Sequence, residues 1–255
     1  MVSSLIFAPI VAGAFYLGNV YFAALVLLVS VLGAIEYRKI MSLAGVEIHA
    51  AFVFISAVVA LAGFLRPSMF VATLSGGAVL VLSIALIQYG TAPSAMYSLS
   101  GEMYIGGLLG SLFLLRAGPD GRAWAFFTLL ITWATDVGAY IGGITFGKHK
   151  LAPKISPGKS WEGALSGVAA AAIVGGALAG SVGLPLVYAV IAGGFLGVLA
   201  ELGDLVESSL KRFANVKDSG RTIPGHGGIL DRFDSLLFTG AGGLLIRTLH
   251  GLFFG

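Results

Sequence analysis

Long apolar runs separated by short polar segments dominate this chain. They lie at about residues 3–17, 20–36, 50–65, 68–88, 104–117, 122–145, 163–182, 184–209 and 234–254. At a rise of 1.5 Å per residue against a hydrocarbon core of ~30 Å, such runs predict nine membrane helices. Residues 5–35 carry no charge. As one helix they would measure ~47 Å, too long for a single crossing. Gly18-Asn19 is the expected break, and Pro185 suits the first turn of the eighth helix.

Composition strengthens this picture. Of 255 residues, 57% are hydrophobic and 11% charged, and the mean hydropathy is +0.96. A soluble domain carries about 25% charged residues. The fold class expected is therefore an all-α integral membrane protein with about nine transmembrane helices. The absence of cysteine excludes disulfides, thiol nucleophiles and thiolate metal sites. The start lacks the basic segment of a cleaved signal peptide. The 38 glycines suit helices that pack closely through small residues.

Charge placement orients the spans. Nine crossings put Arg38, Lys39, Lys148, Lys150, Lys154, Lys159, Lys211, Arg212, Lys217, Arg221 and Arg232 on one side, and Arg66, Arg116, Arg122 and Arg247 on the other. The basic side should be cytoplasmic. Merging the first two helices would move only the N-terminal end. Acids are uneven too: four lie in residues 1–120 and eight in the rest. Residues 1–118 are accordingly expected to be a scaffold of about five helices. Residues 119–255 are expected to be the catalytic region, with cytoplasmic loops at 146–162 and 210–230.

Four clusters invite a chemical reading. Glu201, Asp204 and Glu207 recur at i, i+3, i+6 along one side of the eighth helix. Ion pairs with Lys211 and Arg212 at a solvated helix end are the plain alternative to a functional role for them. Asp231 and Asp234 open the last helix behind "GHGG"; one Asp would suffice as a cap. Gly227 and Gly228 would let backbone N–H groups approach an anion, and carboxylates beside such a cradle hold hard cations that bridge to phosphate. Between these acids lie Lys217, Asp218, Arg221 and His226, the last also readable as an ordinary loop histidine. Asp136 falls about ten residues inside the sixth helix, and intramembrane acids usually face polar cavities. "GKS" at 158–160 suggests a P-loop, but that motif needs Gly where Pro153 stands. Together the clusters predict a polyphosphate–metal site at the cytoplasmic edge of the membrane, reached by a soluble polyanion from one side and a lipid from the other.

The run "SSLKRFANVKDSGRTIPGHGGILDRFD", Ser208 to Asp234, resembles the signature of the CDP-diacylglycerol synthases, or phosphatidate cytidylyltransferases. Its fixed positions are filled by Ser208, Lys211, Arg212, Lys217, Asp218, Gly220, Pro224, His226, Gly227, Gly228, Asp231, Arg232 and Asp234. Asp136–Lys148, Ser156–Gly163 and Gly203–Ser208 match further family segments. The resemblance covers about half of the chain, from 133 onward. It implies cytidylyl transfer from CTP to phosphatidate with release of pyrophosphate, dependence on Mg²⁺, and a homodimer. A monovalent cation such as K⁺ beside the Mg²⁺ is a further expectation from the family.

Carried over, the metal ligands are Asp204 and Asp231. Lys211, Arg212, Lys217, Asp218 and Asp234 are expected to share in catalysis. Arg221, His226, Gly227, Gly228, Arg232, Lys148, Ser156, Lys159 and Asp136 are expected to contact substrates or line their site. The partners expected are CTP, phosphatidate and the bilayer, with no nucleic acid. The expected location is the bacterial inner membrane, active-site loops facing the cytoplasm. An ion-coupled transporter of a phosphorylated metabolite is the main alternative, though neither a repeated half nor mid-membrane clustering is visible. An intramembrane aspartyl protease fails because Thr135 precedes Asp136 and Glu201 stands where glycine is required. The dense motif of CDP-alcohol phosphotransferases is absent.

Overall fold

The computed structural model describes residues 2–220 and 227–253, with side chains from residue 8 to 252 within those ranges. The chain is an α-helical integral membrane protein. Among the described residues, five helical stretches are long and apolar enough to cross a membrane: Asn19–Leu43, Pro67–Tyr89, Ala92–Arg116, Gly121–Phe146 and Leu186–Phe213. The chain forms two compact units, residues 1–117 with 210–233, and residues 118–209 with 234–255.

The first unit holds α1 (Val2–Leu17), α2 (Asn19–Leu43), α3 (Ala51–Leu65), α4 (Phe70–Tyr89), α5 (Ala92–Glu102) and α6 (Leu108–Arg116). The expected break after α1 is present: Gly18 has φ +65°, a conformation glycine adopts without strain. Arg116 packs against this glycine, and its Nε donates to the Phe15 carbonyl at 3.2 Å, satisfying an oxygen that the end of α1 leaves without a helical partner. Phe15, Phe22 and Phe113 stack edge to face with centroids 4.9 and 5.4 Å apart.

The fifth rod starts at residue 92, twelve positions before the apolar run that announced it. Thr91 caps it by accepting the Ser94 N–H, and Pro93 occupies the first turn. Ser94, Ser98 and Glu102 follow at i, i+4, i+8 and are all buried, so the polar face turns inward. A π-helical turn at Met103–Gly107 joins α5 to α6. Glu102 is wholly buried, with the Ser56 hydroxyl donating to its Oε2 at 2.6 Å.

The second unit holds α7 (Gly121–Phe146), strands β1 (Lys150–Ala152) and β2 (Ser156–Ser160), α8 (Trp161–Ala177), α9 (Leu186–Phe213) as far as Ser209, and α10 (Leu230–Phe253) from Asp234. Its helices approach until backbone meets backbone. A Cβ at Gly167 would lie 2.9 Å from the Thr135 carbonyl, and one at Gly175 would lie 2.5 Å from that of Ala189. Thr132 and Thr239 share a hydrogen bond of 2.7 Å between α7 and α10.

The expected loop at 146–162 is instead an antiparallel ribbon, with Lys150 opposite Ser160 and Ala152 opposite Ser156. Apart from this short ribbon the described chain is helical, in keeping with the all-α class expected. "GKS" lies inside β2, so although a short strand precedes it, these residues are extended and form no phosphate loop. Ser160 ends the ribbon and caps α8 by accepting the Gly163 N–H at 3.2 Å.

Candidate active site

In the first unit the signature residues assemble around Asp231, in the first turn of α10 and ahead of its apolar run. Lys211 Nζ donates to Oδ1 at 2.6 Å. Oδ2 accepts the Ser219 N–H at 3.0 Å, the Ser219 hydroxyl at 2.8 Å and the Gly228 N–H at 2.7 Å. Burial raises this carboxyl, but the Lys211, Gly228 and Ser219 donors outweigh it and hold the pKa at about 2.

The glycines of the turn are explained by this carboxylate. Gly227 has φ +82°, and a Cβ there would stand 2.6 Å from Asp231 Oδ2. The sequence pattern suggested N–H groups aimed at a bound anion; the anion that Gly228 meets is a side chain of the same unit. Lys217, Asp218, Arg212 and Arg232 are exposed around this cluster, and Arg212 Nη1 donates to the Val216 carbonyl at 3.0 Å. Arg221 and His226 lie outside the described residues.

In the second unit Lys159, on β2, lies between two acids of α9. Its Nζ is 2.5 Å from Glu201 Oε2 and 2.9 Å from Asp204 Oδ2. Burial opposes its charge, but Asp204 and Glu201 together hold its pKa above the ordinary lysine value. Ser208 donates its hydroxyl to Asp204 Oδ1 at 3.1 Å. The helical spacing of Glu201 and Asp204 thus faces one cation from a separate element. Glu207 is buried.

The base of the ribbon is closed by Glu162, which accepts the N–H groups of Lys148 and His149 at 3.1 and 3.2 Å and meets His149 Nδ1 at 2.5 Å. Glu162, half-buried, has its pKa lowered to about 2, first by His149 and then by the Lys148 N–H. Ser156 is half-buried on β2, and Asp136 is exposed on α7. Asp234 accepts the N–H of its neighbour Ser235 at 2.7 Å.

Two contributors were not singled out from the sequence. Glu36, on α2, is 4% exposed and accepts hydrogen bonds from the Ser219 hydroxyl and the Ile229 and Leu230 N–H groups. Ser219 links it to Asp231. A signal for Glu36 existed: it is the first charge after residues 5–35 and stands just before Arg38 and Lys39.

The oxygens present fit a hard cation carried in with a polyphosphate better than a resident one. Among the described residues no three His, Asp or Glu side chains converge as a metal cage. Mg²⁺ needs none, because it keeps waters and takes one or two carboxylates plus phosphate oxygens. Asp204 is 36% exposed and is held by an ammonium and a hydroxyl. Asp231 has Oδ2 filled by three donors and Oδ1 on Lys211, so a cation would take the place of that ammonium at Oδ1.

A family model described as "Cytidylyltransferase family" matches residues 1–249. The chain is 48% identical over 120 residues to a protein of Bacillus subtilis (strain 168) named phosphatidate cytidylyltransferase, covering 46% of this chain and 45% of that one. It is 43% identical over 146 residues to a protein of the same name from Staphylococcus aureus (strain COL), covering 56% and 55%. A Staphylococcus saprophyticus protein of that name is 44% identical over 146 residues, with the same coverage. The matched stretch spans about half the length of each of these relatives.

Proposed function

From the premise that the chain belongs to the cytidylyltransferase family, we propose that it transfers a cytidylyl group from CTP to phosphatidate, giving CDP-diacylglycerol and pyrophosphate. The observation that carries this is the pairing of signature carboxylates with basic residues of the family segments: Asp231 on Lys211 and Asp204 on Lys159. Such pairs are balanced while empty. They present both charges a metal–polyphosphate complex needs, carboxylate for the cation and ammonium for the phosphates.

A phosphate oxygen of phosphatidate attacks the α-phosphorus of CTP. The new P–O bond forms as the bond to the β-phosphate oxygen breaks, and pyrophosphate departs with the electron pair. The nucleophile is already an anion, so no strong base is required. The barrier is charge repulsion and alignment. Lys211 and Lys159 would hold phosphate oxygens, and Glu201 would keep Lys159 anchored if Asp204 were to bind a cation. Arg212, Lys217, Arg221 and Arg232 add positive charge for the triphosphate, and Asp218 and Asp234 orient these groups. Lys148, Ser156 and His226 contact nucleotide or headgroup, and Asp136 lines the polar path. Asp204 and Asp231 are the proposed Mg²⁺ ligands; when bound, the ion neutralises phosphate charge and aids departure of pyrophosphate. K⁺ beside it, the homodimer, nine crossings, a catalytic C-terminal half and inner-membrane placement with loops toward the cytoplasm belong to the same proposal.

The test is turnover of labelled CTP with phosphatidate in detergent micelles, with and without Mg²⁺, by the natural chain and Asp231→Ala. Mg²⁺-dependent CDP-lipid that disappears in the variant supports the proposal. No product from folded natural protein refutes it and favours transport. An undamaged variant keeps the reaction and removes Asp231 from it.

A further inference from the structure

The four hydrogen-bond donors on Asp231 do not by themselves explain what holds the start of α10 in place. The first N–H groups of a helix have no intrahelical acceptor. Ile229, the residue before α10, has no side-chain oxygen with which to cap it. The acceptor comes from α2, nearly two hundred positions earlier. Glu36 Oε1 takes the Ile229 N–H at 2.9 Å, and Oε2 takes the Leu230 N–H at 3.0 Å.

Ser219 joins this cap to the site. Its hydroxyl lies 3.1 Å from Glu36 Oε2 and 2.8 Å from Asp231 Oδ2. A hydroxyl has one hydrogen, so two carboxylates share a single donor. The backbone around Glu36 leaves no spare space: a Cβ on Gly220 would stand 2.6 Å from Oε1, and one on Gly228 would press on Oε2. A carboxylate here therefore sets both where α10 begins and how Asp231 is turned.

We propose that Glu36 is a positioning residue for the site, capping α10 from α2 and fixing Asp231 through the hydroxyl of Ser219. This rests on the cytidylyl-transfer reading only for its catalytic consequence. Glu36 touches no substrate in this role. A glutamine keeps the shape but offers an NH₂ group to one of the backbone donors, leaving a buried N–H unmatched. The cap then moves, and Ser219, which donates to both side chains, moves with it and turns Asp231.

The experiment uses the full chain in micelles with Glu36→Gln, Ser219→Ala and the double variant. Three quantities are read: amide hydrogen exchange at Ile229 and Leu230, affinity for Mn²⁺ in the presence of CTP by electron paramagnetic resonance, and the Mg²⁺ needed for half-maximal turnover beside the KM for CTP. Glu36→Gln should speed exchange about tenfold or more at whichever of the two amides faces the new NH₂ group, because its hydrogen bond to a charged group is lost. It should weaken Mn²⁺ binding and raise the Mg²⁺ requirement by a similar factor, about tenfold, while the KM for CTP moves less than about threefold. Ser219→Ala should shift both metal readouts in the same direction, and the double variant should be no worse than the worse single. Faster exchange with unchanged Mn²⁺ affinity would make Glu36 merely structural and overturn the proposal, as would additive effects of the two changes. Should Glu36→Gln not fold, unchanged Mn²⁺ affinity in Ser219→Ala overturns it alone. A natural chain that makes no CDP-lipid would refute the proposed reaction, and the exchange and Mn²⁺ readouts would still decide the role of Glu36.

Discussion

Lys211 Nζ lies 2.6 Å from Asp231 Oδ1, and the two side chains are only 12% and 11% exposed. One closes α9 and the other opens α10, so a cation at a helix C-terminus meets an anion at a helix N-terminus. Each charge is on the side its own helix dipole favours. The pair is consequently strong at rest, and under the proposed function a cation and polyphosphate would have to replace both halves together.

Acid should dissolve this pair late. The Asp231 carboxyl is held at about 2, against an ordinary 3.8. Because the folded value is the lower one, its contribution is whole above about 3.8 and is lost as the pH falls through about 2. It is on the order of 2 kcal/mol. Asp231→Asn should be less stable at neutral pH and should show a shallower stability loss across that acid window. Thermal melts in micelles at stepped pH would measure it; superimposable acid limbs would remove Asp231 from the balance.

Lys159 neutralises two acids at once. Lys159→Met should leave Glu201 and Asp204 facing each other uncompensated, lowering stability by about 1–3 kcal/mol and abolishing turnover. Adding Glu201→Gln should recover much of the stability and none of the activity. Melts and turnover of the two variants separate these effects; a double variant less stable than the single would contradict the shared-cation arrangement.

Gly203 is a close contact between α9 and α10 within the second unit. A Cβ there would stand 2.5 Å from the Asp234 carbonyl oxygen and 3.1 Å from Ser235 Cα, both rigid backbone. Gly203→Ala should cost about 1–3 kcal/mol, outweighing the ~1 kcal/mol gained from helix propensity. Gly76→Ala, on α4 with nothing within 4 Å, should be neutral or stabilising. Paired melts check the contrast.

Gly227→Ala combines a backbone and a site penalty. A left-handed φ of +82° costs an L-residue about 1–2 kcal/mol. The new Cβ would also press on Asp231 Oδ2. Turnover should fall more than tenfold with stability reduced by that modest amount; turnover near that of the natural chain would show that the turn tolerates a side chain.

Helix interiors were legible because hydropathy alone marks them. The start of α5 was not, because Ser94, Ser98 and Glu102 point inward and lower the apolar signal of a buried segment. The ribbon at 150–160 was hidden by lysine, proline and glycine, which resemble a loop. Residue identities around the site were legible from the signature run, but not which cation meets which acid: Lys211 sits near Glu207 in sequence and is bonded to Asp231. Glu36 was missed because it stands in the half with few acids, and its partners are 183 to 194 positions away.

The most direct test of the central claim is the fate of the CTP phosphates. Protein in phosphatidate micelles with Mg²⁺ would receive CTP labelled at either the α- or the γ-phosphate, and the lipid and aqueous products would be separated. Cytidylyl transfer predicts α-label in the lipid, γ-label in pyrophosphate, and one pyrophosphate per CDP-lipid. Label in the lipid from the γ-phosphate, or pyrophosphate released without any labelled lipid, would contradict it.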